Sequence, residues 1–145
     1  MDAREKLTLP GETAVGPDVE GVKRVYETIA RAGVVAGIEQ LIAISHEDME
    51  MRAYAAQAVA PAGDGEQKWL RGHDEIREFF RATTEEGFAL TLRTRAFDVT
   101  ADAVLVRGSI RVGRPDGSFA EASVLWTFRF RGGLVERLSW EQRAG

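Results

Sequence analysis

FAEASVLWTFRFRGGLVERLSW, residues 119–140, is the stretch on which the fold turns. Its first thirteen residues alternate. Val124, Trp126, Phe128 and Phe130 share one side, and Leu125, Thr127, Arg129 and Arg131 the other, as successive residues of a strand must. Gly132-Gly133 then interrupts the pattern with the residue pair that tolerates a tight hairpin turn. The alternation resumes over Leu134–Glu141, and the phase predicts Leu134, Leu138 and Trp140 inward with Val135, Arg137 and Glu141 outward. A long antiparallel hairpin with one aromatic face needs something apolar to cover that face.

The rest of the chain supplies the cover. Upstream, Val104–Val112 alternates with Val104, Val106, Gly108, Ile110 and Val112 on one face, and Arg114-Pro115-Asp116-Gly117-Ser118 joins it to the hairpin as a turn. Leu90–Val99 is a further strand, on which simple alternation puts Arg93, Arg95 and Phe97 on one face. Before it, Gly72-His73-Asp74 opens a helix ending near Gly87, with Ile76, Phe79, Phe80 and Thr83 inward. Met49–Tyr54 and the short Trp69-Leu70 read as extended, with a loop over 60–66 between them. Two helices come first. Asp18 caps a helix over 18–32 whose apolar face is Val19, Val22, Val25, Tyr26 and Ile29, and Gly33 stops it. A second, over about 34–45, carries Val35, Ile38, Leu41 and Ile42. Helices, then strands joined by short turns, describe an α+β protein: a bent antiparallel sheet with helices on one face. Residues 1–17, with two Pro-Gly or Gly-Pro pairs and no sustained period, are expected to be a flexible arm, and 18–142 a single domain.

Composition narrows the function. The chain has 145 residues, one domain's worth, 44% of them hydrophobic. With no cysteine, there is no disulfide framework, thiolate metal site or cysteine nucleophile, and two histidines, His46 and His73, cannot make a histidine cage. The 19 basic against 23 acidic residues, net −4, argue against a nucleic-acid partner. No apolar run reaches the length of a membrane span, and MDAREKLTLP has no signal-peptide core, so the expected location is cytoplasmic. Gly113, Gly117, Gly132 and Gly133 fall in hairpin turns rather than in a phosphate-binding strand–loop–helix, and no cofactor is implied.

The order of elements, with YETIARAG closing the first helix, SHEDMEMRAY leading into the first strand, RGHDEIREFF opening the third helix and WTFRFRGGLVERLSW as the last hairpin, resembles the SnoaL-like branch of the nuclear transport factor 2-like superfamily over about residues 18–142. The resemblance implies a cone-shaped, ketosteroid isomerase-like fold: a bent antiparallel sheet wrapped around three helices, with an apolar pocket at one end. Members include isomerases, cyclases, epoxide hydrolases, dehydratases and non-catalytic binding modules. Compared with the ketosteroid isomerases, Tyr26 falls at the helix-one tyrosine that supports their oxyanion hole. Their general-base aspartate is matched by Ala53, their protonated oxyanion-hole aspartate by Trp126, and their second tyrosine by Phe80. Limonene-epoxide hydrolase-like and polyketide cyclase-like sites want an inward acid on the last strand, where this chain has Leu138 and Trp140.

The expected pocket is therefore Tyr26, Met51, Ala53, Phe80, Trp126, Leu138 and Trp140, holding a small hydrophobic molecule. Two readings stay open: a cofactor-independent isomerase, cyclase, dehydratase or hydrolase acting on an apolar ring compound, or a module that binds such a compound, or dimerises, without chemistry. Glu47, Asp48, Glu50 and His46 are expected at a solvated helix-to-strand loop, and His73 exposed at a helix start. Glu121, Glu141 or His46 reaching the pocket would favour catalysis. The mixed outer sheet face, with Leu105, Leu125 and Val135 among arginines, is expected to bury itself in a homodimer.

Overall fold

In the computed structural model, residues 16–53 and 69–143 are described. Residues 1–15 of the expected arm, Tyr54 and the 60–66 loop lie outside them. Helix α1 runs Val19–Ala32 and starts where Asp18 accepts a hydrogen bond from the Gly21 backbone N–H at 2.8 Å. Its inward stripe of Val22, Val25 and Tyr26 is buried. Gly33, at φ 98°, ends α1 and begins α2 (Val34–Ala43), a left-handed corner that a side chain would strain. The two helices then close tightly: a Cβ at Gly37 would lie 2.1 Å from Ile29 Cγ1. In α2, Ile38, Leu41 and Ile42 are buried, but Val35 is 44% exposed. Expected on the same stripe, it is displaced from it by Val34, which packs against the core one residue earlier while Val35 points off that face.

Strand β1 spans Ser45–Arg52, earlier than its expected start at Met49, and α2 stops at Ala43 to make room for it. The strand β2 (Trp69–Arg71) leads into α3 (His73–Glu85), and β3 (Ala89–Val99), β4 (Ala103–Gly113), β5 (Phe119–Arg131) and β6 (Leu134–Arg143) follow as hairpins. The sheet order is β2-β1-β6-β5-β4-β3. All pairings are antiparallel except β1 with β6, which is parallel because the chain returns to β1's side after the hairpins are complete. One face carries the helices, and Val104, Val106, Ile110, Val124, Trp126, Phe128 and Phe130 are buried on it, as the alternation predicts.

Two irregularities overturn the phase expected elsewhere. On β6, Arg137 pairs with Arg129 and Val135 with Phe130, leaving Glu136 as an extra residue. The phase flips across it. Val135 is fully buried and packs with the core, while Leu134 is 38% exposed, the reverse of the expectation. Val135 is thus unavailable to any outer-face contact. On β3, Arg95 is the extra residue between Thr94, opposite Gly108, and Ala96, opposite Arg107. Phe97 consequently turns inward, away from Arg93, and its ring meets Tyr26 edge-on at 6.1 Å.

Candidate functional site

Tyr26 is the polar centre of the interior. Helical spacing puts it one turn before Ile29 and one after Val22, facing the sheet, and only 8% of it is exposed. Its ring lies 5.2 Å from that of Trp126 and 6.0 Å from that of Phe128, the latter in a T-shaped contact. Between these rings and the helices is a small interior space walled by thirteen residues, among them Tyr26, Met51, Phe80, Trp126 and Leu138. Five of the seven expected site residues are therefore brought together. Ala53 and Trp140 are buried but do not stand on that wall. The Arg52 guanidinium lies 4.2 Å over the Trp140 ring and donates to its backbone carbonyl, which ties the ends of β1 and β6 together.

The wall also includes Leu90 and Leu92 of β3 and Ile29, Val34, Ile38 and Leu41 of the first two helices. Sequence reasoning placed Ile29, Ile38 and Leu41 on apolar helix stripes without carrying them to the pocket, and gave no face to Val34, Leu90 or Leu92. The alternation of Leu90 and Leu92, opposite Val112 and Ile110, is the signal from which the β3 wall was readable. The volume of the space is only about 30 Å³.

Chemically the wall is uniform. Among the thirteen residues no carboxylate, imidazole, ammonium or guanidinium occurs, and the Tyr26 hydroxyl is the one hydroxyl, with the Trp126 indole N–H the other hydrogen-bonding side-chain group. The ionisable candidates are all directed elsewhere. His46 lies within β1, and its Nε2 is 2.7 Å from the carbonyl oxygen of Arg131. Glu50 pairs with Arg71 and with Arg137, Glu121 lies 4.0 Å from Arg111, and Glu47, Asp48 and Glu141 are exposed. His73 differs from expectation. It is half-buried, and its Nε2 lies 2.9 Å from the carbonyl oxygen of His46 and 3.1 Å from Ser45 Oγ, so it pins the start of α3 to β1. Among the described residues no group of three or more acidic or histidine side chains is placed to hold a metal ion, and no helix is long and apolar enough to cross a membrane.

Beside this space lies an open cleft between α2 and α3, with a volume of about 420 Å³. Val35, Ile38 and Phe80 floor it, and charged side chains rim it. Arg77 of α3 donates to both carboxylate oxygens of Glu39 of α2, at 2.8 and 3.2 Å. That contact holds the Glu39 carboxyl below its ordinary pKa range, with hydrogen bonding to Arg77 the largest cause.

Fold and site together define an α+β protein with a helix-covered, bent sheet and an apolar interior. The chain belongs to the SnoaL-like domain family, whose model matches residues 22–138. No curated protein matches it in sequence. Among solved structures, a nuclear transport factor 2-like protein of unknown function from Burkholderia pseudomallei is similar with a TM-score of 0.66 and 21% identity, covering 86% of this chain and 89% of that one. TerC, co-crystallised with polyporic acid, is similar at TM-score 0.66 and 21% identity, covering 86% and 90% of the two chains. A Mycobacterium tuberculosis protein in complex with estradiol-17β-hemisuccinate matches at TM-score 0.61 and 13% identity, covering 90% and 95%. At these identities the likeness is one of fold.

Proposed function

We propose that the protein binds a small apolar ring compound in the space beside Tyr26, with the phenol as its polar anchor, and performs no acid–base chemistry on it. The observation that carries this reading is the composition of the wall: thirteen residues with one hydroxyl and no ionisable group other than that phenol. Acid–base catalysis needs a positioned proton carrier with a pKa near the working pH. The positions matched to the isomerase carboxyls hold Ala53 and Trp126, both buried among apolar neighbours. Pockets of this kind bind by apolar burial, with a few polar groups to orient the ligand. The ligands carried by TerC and by the Mycobacterium tuberculosis protein support the reading at the level of the fold.

The test is a panel of uncharged ring compounds screened by thermal shift and then by calorimetry. A hit is expected to raise the melting temperature and to be recovered chemically unchanged after prolonged incubation. Tyr26→Phe should weaken it roughly 2- to 10-fold, the worth of one neutral hydrogen bond. Turnover of a hit, or a hit indifferent to Tyr26→Phe, would overturn the assignment.

A second part of the proposal is assembly. The outer sheet face, reduced to Leu105 and Leu125 by the burial of Val135, meets the same face of a second copy.

A further inference from the structure

The interior space and the α2–α3 cleft are separated by two side chains. Ile38 and Phe80 stand on the walls of both. The inner space, about 30 Å³, has room for one or two waters and no ring compound. The cleft, about 420 Å³, lies within the range of roughly 300–1,000 Å³ usual for ligand sites, but alone it is an open groove. If the interior is a binding site, the missing volume has to come from a movement, and the partition next to an existing cleft is the shortest one.

The fastening of the helices points to the same seam. Helix α2 is pressed against α1, where Gly37 leaves no room for a Cβ beside Ile29. Across to α3, the side-chain hydrogen bonds among the described residues are those of Glu39 with Arg77, both about half exposed. Exposed pairs of this kind hold weakly. The rim also sets the ligand's charge. Arg77 is engaged by Glu39 and Asp74, and Arg81 by Glu78 and Glu85, so neither guanidinium is open to an anion. The two of the three structural neighbours above that hold a ligand carry acids, and this cleft has no open cation to receive one.

We propose that the α2–α3 cleft is the outer chamber of the ligand site, that displacement of the Phe80 ring joins it to the space beside Tyr26, and that the joined chamber takes an uncharged ring compound. This rests on the binding reading above and adds where the ligand enters and which residue admits it. Phe80 then limits ligand size, and the Glu39–Arg77 pair is a latch across the opening.

The probe is N-phenyl-1-naphthylamine, uncharged and brighter in apolar surroundings, followed by stopped-flow fluorescence with the full chain. Phe80→Ala should speed its uptake at least 10-fold and tighten its binding; if that variant folds poorly, Phe80→Leu should show the same trend. Because the chain has no cysteine, Glu39→Cys together with Arg77→Cys can be joined by a reducible bismethanethiosulfonate. Joining should slow uptake at least 10-fold, and reduction should restore it. Equal uptake rates in the joined and reduced forms would overturn the cleft as the way in and leave the binding reading standing. No binding by either the unaltered chain or Phe80→Ala would overturn both.

Discussion

Gly108 shows how a single residue sizes the interior. It faces inward from β4, opposite Thr94 and Val124, and the six-membered ring of Trp126 lies against it. A Cβ there would stand 3.0 Å from Trp126 Cζ3 and 1.9 Å from the carbonyl oxygen of Arg93, which is backbone and cannot step aside. Gly108→Ala is therefore expected to destabilise the fold by about 1–3 kcal/mol, the usual cost of overpacking, and to shift Trp126 fluorescence. Trp126→Ala removes the ring instead, and chemical denaturation should register a loss of about 3–5 kcal/mol. A loss under 1 kcal/mol in either variant would show that the ring is not wedged as described. Trp126 was legible in the sequence as an inward residue because strand alternation is a strong signal. The role of Gly108 was not, since a glycine in a strand says only that something comes close, not what.

Within elements, what could be read and what could not divides at the bulges. Strand β5 and the buried faces of α1 and β4 follow period alone, and the sequence places them correctly. On β6 and β3 a single extra residue, Glu136 or Arg95, reverses the faces beyond it, and nothing local marks either position: Glu136 is a half-buried charge paired with Arg131 and Arg95 an exposed one. The consequence on β6 is measurable. Val135→Ala, in a site with no exposure, should cost about 2 kcal/mol, two buried methylene equivalents plus a small cavity. Leu134→Ala should change stability by under about 0.5 kcal/mol. The opposite ranking in urea denaturation would mean that the register across Glu136 is wrong. The α2–α3 pair offers a pH test at the same scale. Glu39 has a lowered pKa in the fold, so the little stability it contributes is present above the ordinary carboxylate range and is lost as pH falls through the lowered value. Arg77, Asp74 and the nearby His73 face it, and protonation of Glu39 releases Arg77. Any melting-temperature gap between the unaltered chain and Glu39→Gln should be visible at neutral pH and close on acidification; a gap that widens in acid would contradict the pairing.

For the whole molecule, the remaining surface to account for is the outer face of the sheet. Leu105 and Leu125 lie there half-buried, diagonal to one another across β4 and β5, since Leu105 pairs with Thr127 and Arg107 with Leu125. Around them the face is ionic. Arg107 pairs with Asp98, Arg129 with Asp102, and Arg137 with Glu50. Arg93 and Arg143 have no acidic partner among the described residues, and the same holds for Glu141. Two leucines alone bury far less than the roughly 800 Å² per partner of a standard interface. A two-fold contact on this face would have to draw the rest of its area from the charged rim, where Arg93, Arg143 and Glu141 supply both signs for an isologous patch. Sedimentation velocity at micromolar concentration should then show a species of twice 16.0 kDa. Leu125→Glu, placed between like faces, should reduce it to the monomer while leaving the far-UV dichroism unchanged, and high salt should weaken the dimer without abolishing it. A single 16.0 kDa species in the unaltered chain would mean instead that water covers this face, and that Leu105 and Leu125 are held by their strand neighbours alone.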